Sequence, residues 1–448
     1  MGERGGVTGL CKVRSTRQWV RGIQASSPSP TAIVDYLERC RWPSGCYVRR
    51  MAMRRRLGIV ILLGLVAIGV WLGWVNVRPY STTFSGGPVG YSAHVIGQQD
   101  PARYVSLAEN GGATSLRVEV RWASVEATQG QFNWTEPDEI VSEAASHHLN
   151  VLMIVDTSPA WASGASTLRS NWQWLPPRNP VAYGAFAAAV AARYGADGAF
   201  WRKYPHLPRY LPAGIELWNE ENISIFWGNE SPNPAIYDTM VKAAFTSVKH
   251  ADPRMTVLVG GLASIGGYDD VNCSGQKGTG YNDDKWNGLN YLQALYTDGI
   301  HGYFDAVAWH VYNYWPGASG TEMLAYNLCS AWSQMVETPV SVRSLMDSHG
   351  DAGKRLWITE TGAPTCVPGA TYTCVSPAQQ ANLVSGEAQQ WKSFPWTGGF
   401  YWYDIRDDSG PVNDPESHFG TVSLTYSPKP AYRAFRNAWR TSSSAAHS

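Results

Sequence analysis

Two glutamates, Glu220 and Glu360, each close an apolar run of the sequence. The first run reads Ile-Glu-Leu-Trp-Asn-Glu and the second reads Leu-Trp-Ile-Thr-Glu. Short apolar runs of this kind are typical of buried β-strands, so each pattern places a carboxylate at the end of a strand. One protonated and one ionised carboxyl group can act as acid and nucleophile on the same bond. A single glutamate at a strand end is more often an ion-pair partner, so the chemical hypothesis depends on the two meeting.

Eight predicted strands alternate with predicted helices and would position these residues. The strands are predicted over 90–95, 115–122, 150–156, 214–220, 256–262, 304–312, 355–360 and 399–404. Helices are predicted at 136–147, 182–194, 235–250, 288–298, 336–349 and 377–392. This alternation predicts an α/β protein with a (β/α)8 TIM barrel. A doubly wound open sheet is the alternative, but it would carry a Gly-rich phosphate turn after an early strand, and the Gly-Gly pair at 111–112 precedes one.

A barrel would bring the two glutamates together at one rim. Barrel enzymes carry their reactive residues at the carboxyl ends of the strands, and strands 4 and 7 face each other across the barrel. His310 and Tyr312 share one face of predicted strand 6, because side chains alternate along a strand. Further strand-end candidates are Arg117 on strand 2, Asn219 on strand 4 and Trp402 on strand 8.

This ordered set of strand-end residues resembles the clan-A retaining glycoside hydrolases. The segments 116–126, 130–134 and 157–162 are similar to the family 39-like and cellulase-like members, and the resemblance covers roughly residues 90–440. It implies a (β/α)8 enzyme that hydrolyses O-glycosyl bonds by double displacement. Glu220 would be the general acid/base and Glu360 the nucleophile.

The resemblance also implies roles for the neighbouring residues. Asn219 would hydrogen-bond the sugar 2-hydroxyl, and His310 would line the site near Glu220. Tyr312 and Arg117 would bind Glu360 and keep it ionised, and Trp402 would form the floor under the reacting sugar. Arg121 also lies on strand 2 and is the rival of Arg117.

The tryptophan distribution supports a carbohydrate partner. Of the 21 tryptophans, 17 lie beyond residue 89, and several follow predicted strands. Sugar rings present C–H faces that stack on aromatic side chains, and Trp offers the largest such face. Trp161, after strand 3, is therefore a predicted substrate-binding residue, although packing is the alternative for any single tryptophan.

Other acidic residues offer weaker alternatives. Glu221 and Glu230 are rivals of Glu220, and Glu119 is interpreted as a salt-bridge partner on strand 2. The acidic pairs at 269–270 and 283–284 are interpreted as solvated loop carboxylates, because they lack the spacing of an EF-hand. Neither a metal ion nor a cofactor is expected.

The N-terminal part differs from the rest in charge and hydropathy. Residues 1–56 contain 12 of the 36 Lys and Arg against three acids, a net charge of +9, and 57–75 hold no charged residue. About 20 apolar residues span a bilayer, and flanking arginines stay cytoplasmic. We therefore predict a single-pass anchor at 57–77, with the catalytic part extracellular at the cell membrane. A cleaved secretory signal is the alternative.

The remaining segments are assigned by composition. Residues 1–56 are expected to be a disordered cytoplasmic segment, of which 1–50 are interpreted as a mis-assigned start. Residues 78–89 form a linker, 90–440 the barrel, and 441–448 a disordered tail. Beyond residue 56 the chain carries 24 basic and 33 acidic residues, a charge of −9, which argues against a nucleic-acid partner.

Four cysteines follow the predicted anchor, where the compartment is oxidising. Three pairings are open; we favour Cys366–Cys374, which closes a short loop, together with Cys273–Cys329. A metal site is the alternative, but no CxxC pattern supports it.

The sequence therefore predicts an endo-acting hydrolase of β-linked polysaccharide or oligosaccharide. An exo-β-glycosidase and a transglycosylase are alternatives with the same residues. A non-catalytic glycan-binding protein of the cell envelope is the alternative of another class, and it could dispense with one of the two carboxylates.

Overall fold

The computed structural model describes residues 86–93, 100–264, 286–312, 330–336 and 340–439. The predicted anchor at 57–77, the segment before it, most of the linker, the tail and the Cys273–Cys329 pairing lie outside these residues. Within them, no helix is long and apolar enough to cross a membrane.

Eight parallel strands form a closed barrel in which each strand pairs with its neighbours in chain order, and β8 pairs with β1. The strands are β1 (Val89–Ser92), β2 (Ser115–Arg121), β3 (Asn150–Asp156), β4 (Gly214–Leu217), β5 (Val257–Ala263), β6 (Ala306–His310), β7 (Arg355–Thr361) and β8 (Thr397–Trp402). The predicted (β/α)8 barrel is confirmed, and all eight predicted strands are present. Their continuous apolar runs reflect burial on both faces, as is usual for parallel strands.

Helices surround the barrel. The longer ones are α1 (Pro101–Asn110), α3 (Thr135–Ser146), α5 (Pro180–Tyr194), α7 (Pro234–Ala251), α8 (Gly288–Thr297), α10 (Val342–Ser348), α11 (Pro377–Ser393) and α12 (Pro430–Trp439). Short helices are α2 (Trp122–Val125), α4 (Ala160–Ser163), α6 (Ala199–Lys203) and α9 (Ala331–Val336). Helices α1, α5, α7 and α11 each begin with proline after a residue whose side chain caps the first turn. Proline at the first position and a polar cap before it are strong start signals. Helices were predicted in the regions of α5, α7 and α11, whereas α1 was not predicted.

Several predicted elements differ in extent from the observed ones. Where a single helix was predicted at 336–349, α9 ends at Val336, and α10 begins at Val342 after a Ser341 cap. Strand β4 ends at Leu217, three residues before the predicted end.

The barrel interior combines apolar and charged side chains. It contains an inner cluster whose members are Leu152, Leu258, Ala306, Ala308, Trp357 and Tyr401. The inward-facing Arg117 and Glu216 are both fully buried, and they are in register with Leu152 and Leu258 of this cluster. The charged site is therefore embedded among packed side chains.

Candidate active site

The chain turns sharply after β4 and carries Glu220 into the barrel mouth. Trp218 has φ 75° and Glu220 has φ 45°, both in the left-handed region that non-glycine residues rarely adopt. The turn is held by the Trp218 amide, which donates to the Val155 carbonyl at 3.0 Å, and the Glu220 amide, which donates to the Gly261 carbonyl at 3.1 Å. Left-handed residues of this kind cost about 1–3 kcal/mol each and are concentrated at functional sites.

Glu360 approaches from the opposite side of the barrel. It lies near the end of β7, in register with His310 of β6. Glu220, Glu360 and His310 each contribute a side-chain polar atom such that the three atoms lie within 4.8 Å of one another. The structure thus brings together the two glutamates that the sequence placed 140 residues apart.

His310 connects the two carboxylates. Its Nδ1 lies 2.8 Å from Oε1 of Glu220 and 3.5 Å from Oε2 of Glu360. The imidazole is fully buried, so its position is fixed by packing as well as by these contacts. A single ring can therefore influence the protonation of both acids.

Both oxygens of Glu360 accept hydrogen bonds. The Tyr312 hydroxyl donates to Oε2 at 2.6 Å, and the Arg117 guanidinium donates to Oε1. Burial alone would raise the pKa of Glu360, but the charges of His310 and Arg117 and the two hydrogen bonds outweigh it and lower the pKa to about 2. Glu360 is therefore held ionised.

Glu220 shows the opposite shift. Burial raises its pKa, and the nearby Glu360 charge acts in the same direction. The hydrogen bond and the charge of His310 oppose this shift without cancelling it. The two acids thus differ in environment, one stabilised as a carboxylate and the other as a carboxylic acid.

Arg117 is fixed by a residue that the sequence analysis did not single out. Glu216 accepts from Nε of Arg117 at 2.6 Å and from Nη2 at 3.1 Å, and the Thr359 hydroxyl donates to Glu216 at 2.9 Å. Nη2 of Arg117 also donates to Oδ1 of Asn219 at 2.9 Å. Glu216 could have been recognised as a charged residue inside an apolar strand, where burial requires a partner.

The structure distinguishes between the two candidate arginines of β2. Arg117 is 1% exposed and contacts Glu360, whereas the Arg121 side chain is 42% exposed and pairs with Glu119. Glu119 is therefore an ion-pair partner, as the sequence analysis favoured.

Trp402 does not reach the site, and its predicted position is wrong. Its side chain is fully buried in the large hydrophobic core that includes the surrounding helices, whereas Tyr401 before it belongs to the inner cluster. Tyr403, the residue after β8, lies closer to the site; burial and the charges of nearby acids, Glu360 among them, raise its pKa. The Tyr403 ring lies edge-on to Tyr312 at 6.3 Å between centroids, and its hydroxyl donates to Oε2 of Glu416 at 3.1 Å.

Trp161 lies further out on the same rim. Its indole N–H donates to the Glu126 carbonyl at 2.9 Å, and its ring packs edge-on against Trp122. These contacts place Trp161 beyond β3 in a partly exposed position.

The donor set could also be considered for a metal ion, because two carboxylates and an imidazole are common ligands. Here, however, both oxygens of Glu360 already accept from Tyr312 and Arg117. The buried guanidinium beside them would repel a cation. The geometry is thus better suited to an acid pair than to a metal centre.

No protein-family model matches the sequence, and no curated protein matches it either. Solved structures do match. A family 39 glycoside hydrolase from Bacteroides cellulosilyticus has a TM-score of 0.53 at 20% identity, covering 79% of this chain and 63% of that one. A GH39 enzyme from Xanthomonas axonopodis pv. citri has a TM-score of 0.53 at 16% identity, over 80% and 67%. The GH5_18 structure from Streptomyces cattleya in complex with GlcNAc has a TM-score of 0.54 at 15% identity, over 80% and 81%.

These likenesses concern the fold. The chain shares the (β/α)8 barrel fold of these glycoside hydrolases, as the resemblance implied. It spans less than two thirds of the length of the Bacteroides structure, so its activity is argued from its own residues.

Proposed function

We propose that this protein is a retaining glycoside hydrolase that acts on β-linked polysaccharide or oligosaccharide. The observation that carries the proposal is the separation of the two acids, whose nearest ligand oxygens lie within 4.8 Å. Retaining enzymes hold their carboxyl groups about 5–5.5 Å apart, whereas inverting enzymes leave about 6.5–9.5 Å for a water molecule. A short separation therefore favours direct attack by one carboxylate.

The reaction would proceed in two displacements. Glu220 donates its proton to the glycosidic oxygen while Glu360 attacks the anomeric carbon, so that the leaving sugar departs as an alcohol and a covalent glycosyl ester forms. Glu220, now ionised, takes a proton from water as the water oxygen attacks the same carbon. The ester bond to Glu360 breaks, and both residues return to their starting states.

The opposite pKa shifts support this division of roles. Glu360, with its pKa lowered to about 2, is ionised when substrate arrives. Glu220, with its pKa raised by burial, retains the proton that the leaving group requires.

The surrounding residues have proposed binding roles. Asn219, fixed through its carbonyl oxygen by Arg117, would present its amide to the sugar 2-hydroxyl. Tyr403 takes the place that the sequence analysis gave to Trp402, as the aromatic residue of strand 8 beside the reacting sugar. Trp161 would stack on a sugar unit further along the cleft.

Variants of the two glutamates test the proposal. Glu220→Gln and Glu360→Gln should each abolish hydrolysis of a polysaccharide panel, with far-UV circular dichroism unchanged. Glu230→Gln is the matched control, because Glu230 is exposed on the same side of the barrel and pairs with Arg169. Hydrolysis by either active-site variant at more than a few per cent of the wild-type rate would overturn the assignment.

Two finer points are proposals from the sequence. Endo-action is supported by the length of the segment from 264 to 288 and by the tryptophans near 161–177. Location at the outer membrane face is supported by the apolar segment at 57–77 and its preceding arginines. Chromatography of early products and fractionation of cells that express the full chain test them separately.

A further inference from the structure

A buried carboxyl group without a partner lies at the end of β3. Asp156 is 0% exposed, and neither of its carboxyl oxygens has a hydrogen-bond partner among the described residues. Burial and the charge of Glu119 raise its pKa well above the usual value, which favours the protonated form. A buried polar group that is left unpaired destabilises the fold, so such a group calls for an explanation.

The side chain points into the barrel mouth. Leu152, four residues earlier on β3, belongs to the inner cluster, and residues an even number apart on a strand face the same side. Asp156 is in register with Arg121 of β2, which is likewise an even step from the inward Arg117. The Trp218 amide bonds to the residue before Asp156, so the carboxyl group is level with the turn that carries Glu220.

An ion pair open to solvent lies beside this carboxyl group. Nε of Arg121 donates to Oε2 of Glu119 at 2.6 Å, and the two side chains are 42% and 20% exposed. The Ser158 hydroxyl, two residues beyond Asp156, is also buried and without a partner in the described part of the chain. Polar side chains that can form further hydrogen bonds therefore lie together at the ends of β2 and β3. They are Glu119, Arg121, Asp156 and Ser158.

We propose that these four residues form a subsite that binds the hydroxyl groups of an uncharged sugar unit next to Glu220. The inference rests on the proposed glycosidase function and narrows its substrate. A sugar hydroxyl both donates and accepts, so a pair of hydroxyls can satisfy Asp156 and Ser158 together. With Asp156 protonated, the charges of Glu119 and Arg121 leave no net positive charge, so the subsite disfavours a uronic acid, whose carboxylate would face Glu119.

A sugar would reach the buried Asp156 from the side on which the Arg121–Glu119 ion pair lies. Exposed ion pairs contribute little to stability, so an incoming sugar can displace Arg121 from Glu119 and reach Asp156 beneath. Arg121 can then donate to the sugar from its new position. The subsite thus selects for hydroxyl groups by presenting a buried acid that has no hydrogen-bond partner among the described residues.

Kinetics of Asp156→Leu test the subsite. The probes are 4-nitrophenyl β-glycosides of glucose, xylose, mannose and cellobiose, with the β-glucuronide as the charged counterpart. Loss of one hydrogen bond to an acidic group should raise KM about tenfold for the best neutral substrate, with a smaller change in kcat. The thermal unfolding midpoint should not fall, because the variant removes an unpaired buried carboxyl group. A purely structural role would lower the midpoint and leave KM unchanged.

Two further variants complete the test. Asp156→Asn can still form hydrogen bonds and should raise KM less than Asp156→Leu. If the leucine variant does not fold, the KM of Asp156→Asn is the test. Asp238→Asn is the matched control, because Asp238 is a buried carboxyl group with one unpaired oxygen on the outer helix α7. Its KM should equal that of the wild type.

Failure of the subsite proposal can be distinguished from failure of the proposed glycosidase function. If the wild type hydrolyses a neutral glycoside but both Asp156 variants keep its KM within twofold, the subsite is overturned and the proposed function stands. A glucuronide hydrolysed faster than the glucoside also overturns the subsite alone. If the wild type hydrolyses nothing in this panel or in the polysaccharide panel, the proposed function fails and the subsite fails with it.

Discussion

The Tyr312 hydroxyl donates to Oε2 of Glu360 at 2.6 Å, across the junction of β6 and β7. Because this bond favours the ionised form of Glu360, Tyr312→Phe should raise the pKa of that carboxyl group. We expect kcat/KM to fall roughly ten- to a hundredfold, the worth of a hydrogen bond to a charged group. The acid limb of the pH–rate profile should move to higher pH. Tyr303→Phe, at a partly exposed tyrosine outside the site, should leave both quantities unchanged.

The pH profile of the wild type should be a bell whose two limbs belong to different glutamates. Activity requires ionised Glu360, so it is lost only as the pH falls towards about 2. It also requires protonated Glu220, so it is lost as the pH rises through the raised pKa of that group. Glu416, whose pKa is raised to about 7 by desolvation and by the charges of Glu360 and Glu220, could contribute to the basic limb. A basic limb that disappears in Glu416→Gln would contradict its assignment to Glu220.

Removing the His310 imidazole should shift both limbs of the pH–rate profile in the same direction. The charge of His310 lowers the pKa of Glu360, and its hydrogen bond and charge lower the pKa of Glu220. His310→Asn should therefore shift the acid and basic limbs of kcat/KM to higher pH together. Unchanged limbs would contradict this influence of His310 on the two glutamates.

Arg117 should be as important for stability as for activity. It is the buried cation between Glu216 and Glu360, and Arg117→Met removes the charged partner of both carboxylates. Breaking a buried pair in this way costs about 3–5 kcal/mol, measurable as a lower urea midpoint. The double variant Arg117→Met with Glu216→Gln should recover part of this loss while remaining inactive. Additive losses in the double variant would show that the two side chains are not coupled.

The Cys366–Cys374 disulfide should stabilise the barrel without affecting catalysis. It closes a loop with a sequence separation of 8 after β7. Constraining a loop of this length in the unfolded chain is worth about 2–3 kcal/mol. Replacing both cysteines by alanine should lower the free energy of unfolding by that amount and leave kcat within about twofold. A large loss of kcat would mean that the loop positions Glu360.

The sequence was sufficient for the barrel because its strands are buried on both faces and therefore appear as separate apolar runs. It was also sufficient to bring Glu220 and Glu360 to one rim, since every strand of a parallel barrel ends there. The Cys366–Cys374 pairing is confirmed as well. The catalytic roles of the glutamates stay predictions, which the variants above test.

The errors have local causes. Trp402 was assigned to the site by the resemblance to the clan-A glycoside hydrolases, but the alternation along β8 turns it outwards, and Tyr403 after the strand contacts Tyr312 instead. Glu216 was overlooked because its partner, Arg117, is 99 residues away in sequence. The end of β4 was placed too late because left-handed conformations at Trp218 and Glu220 are set by tertiary contacts that no local pattern records.

The most direct test of the account is the identity of the residue that becomes covalently attached to the sugar. A 2-deoxy-2-fluoro β-glycoside with a good leaving group, chosen from the neutral sugar that the wild type hydrolyses best, should accumulate as a glycosyl ester. Peptide mass spectrometry should place the label on Glu360, and Glu360→Gln should prevent labelling. A label on Glu220 or any other residue, or turnover with inversion at the anomeric carbon, would contradict the assignment of Glu360 as nucleophile.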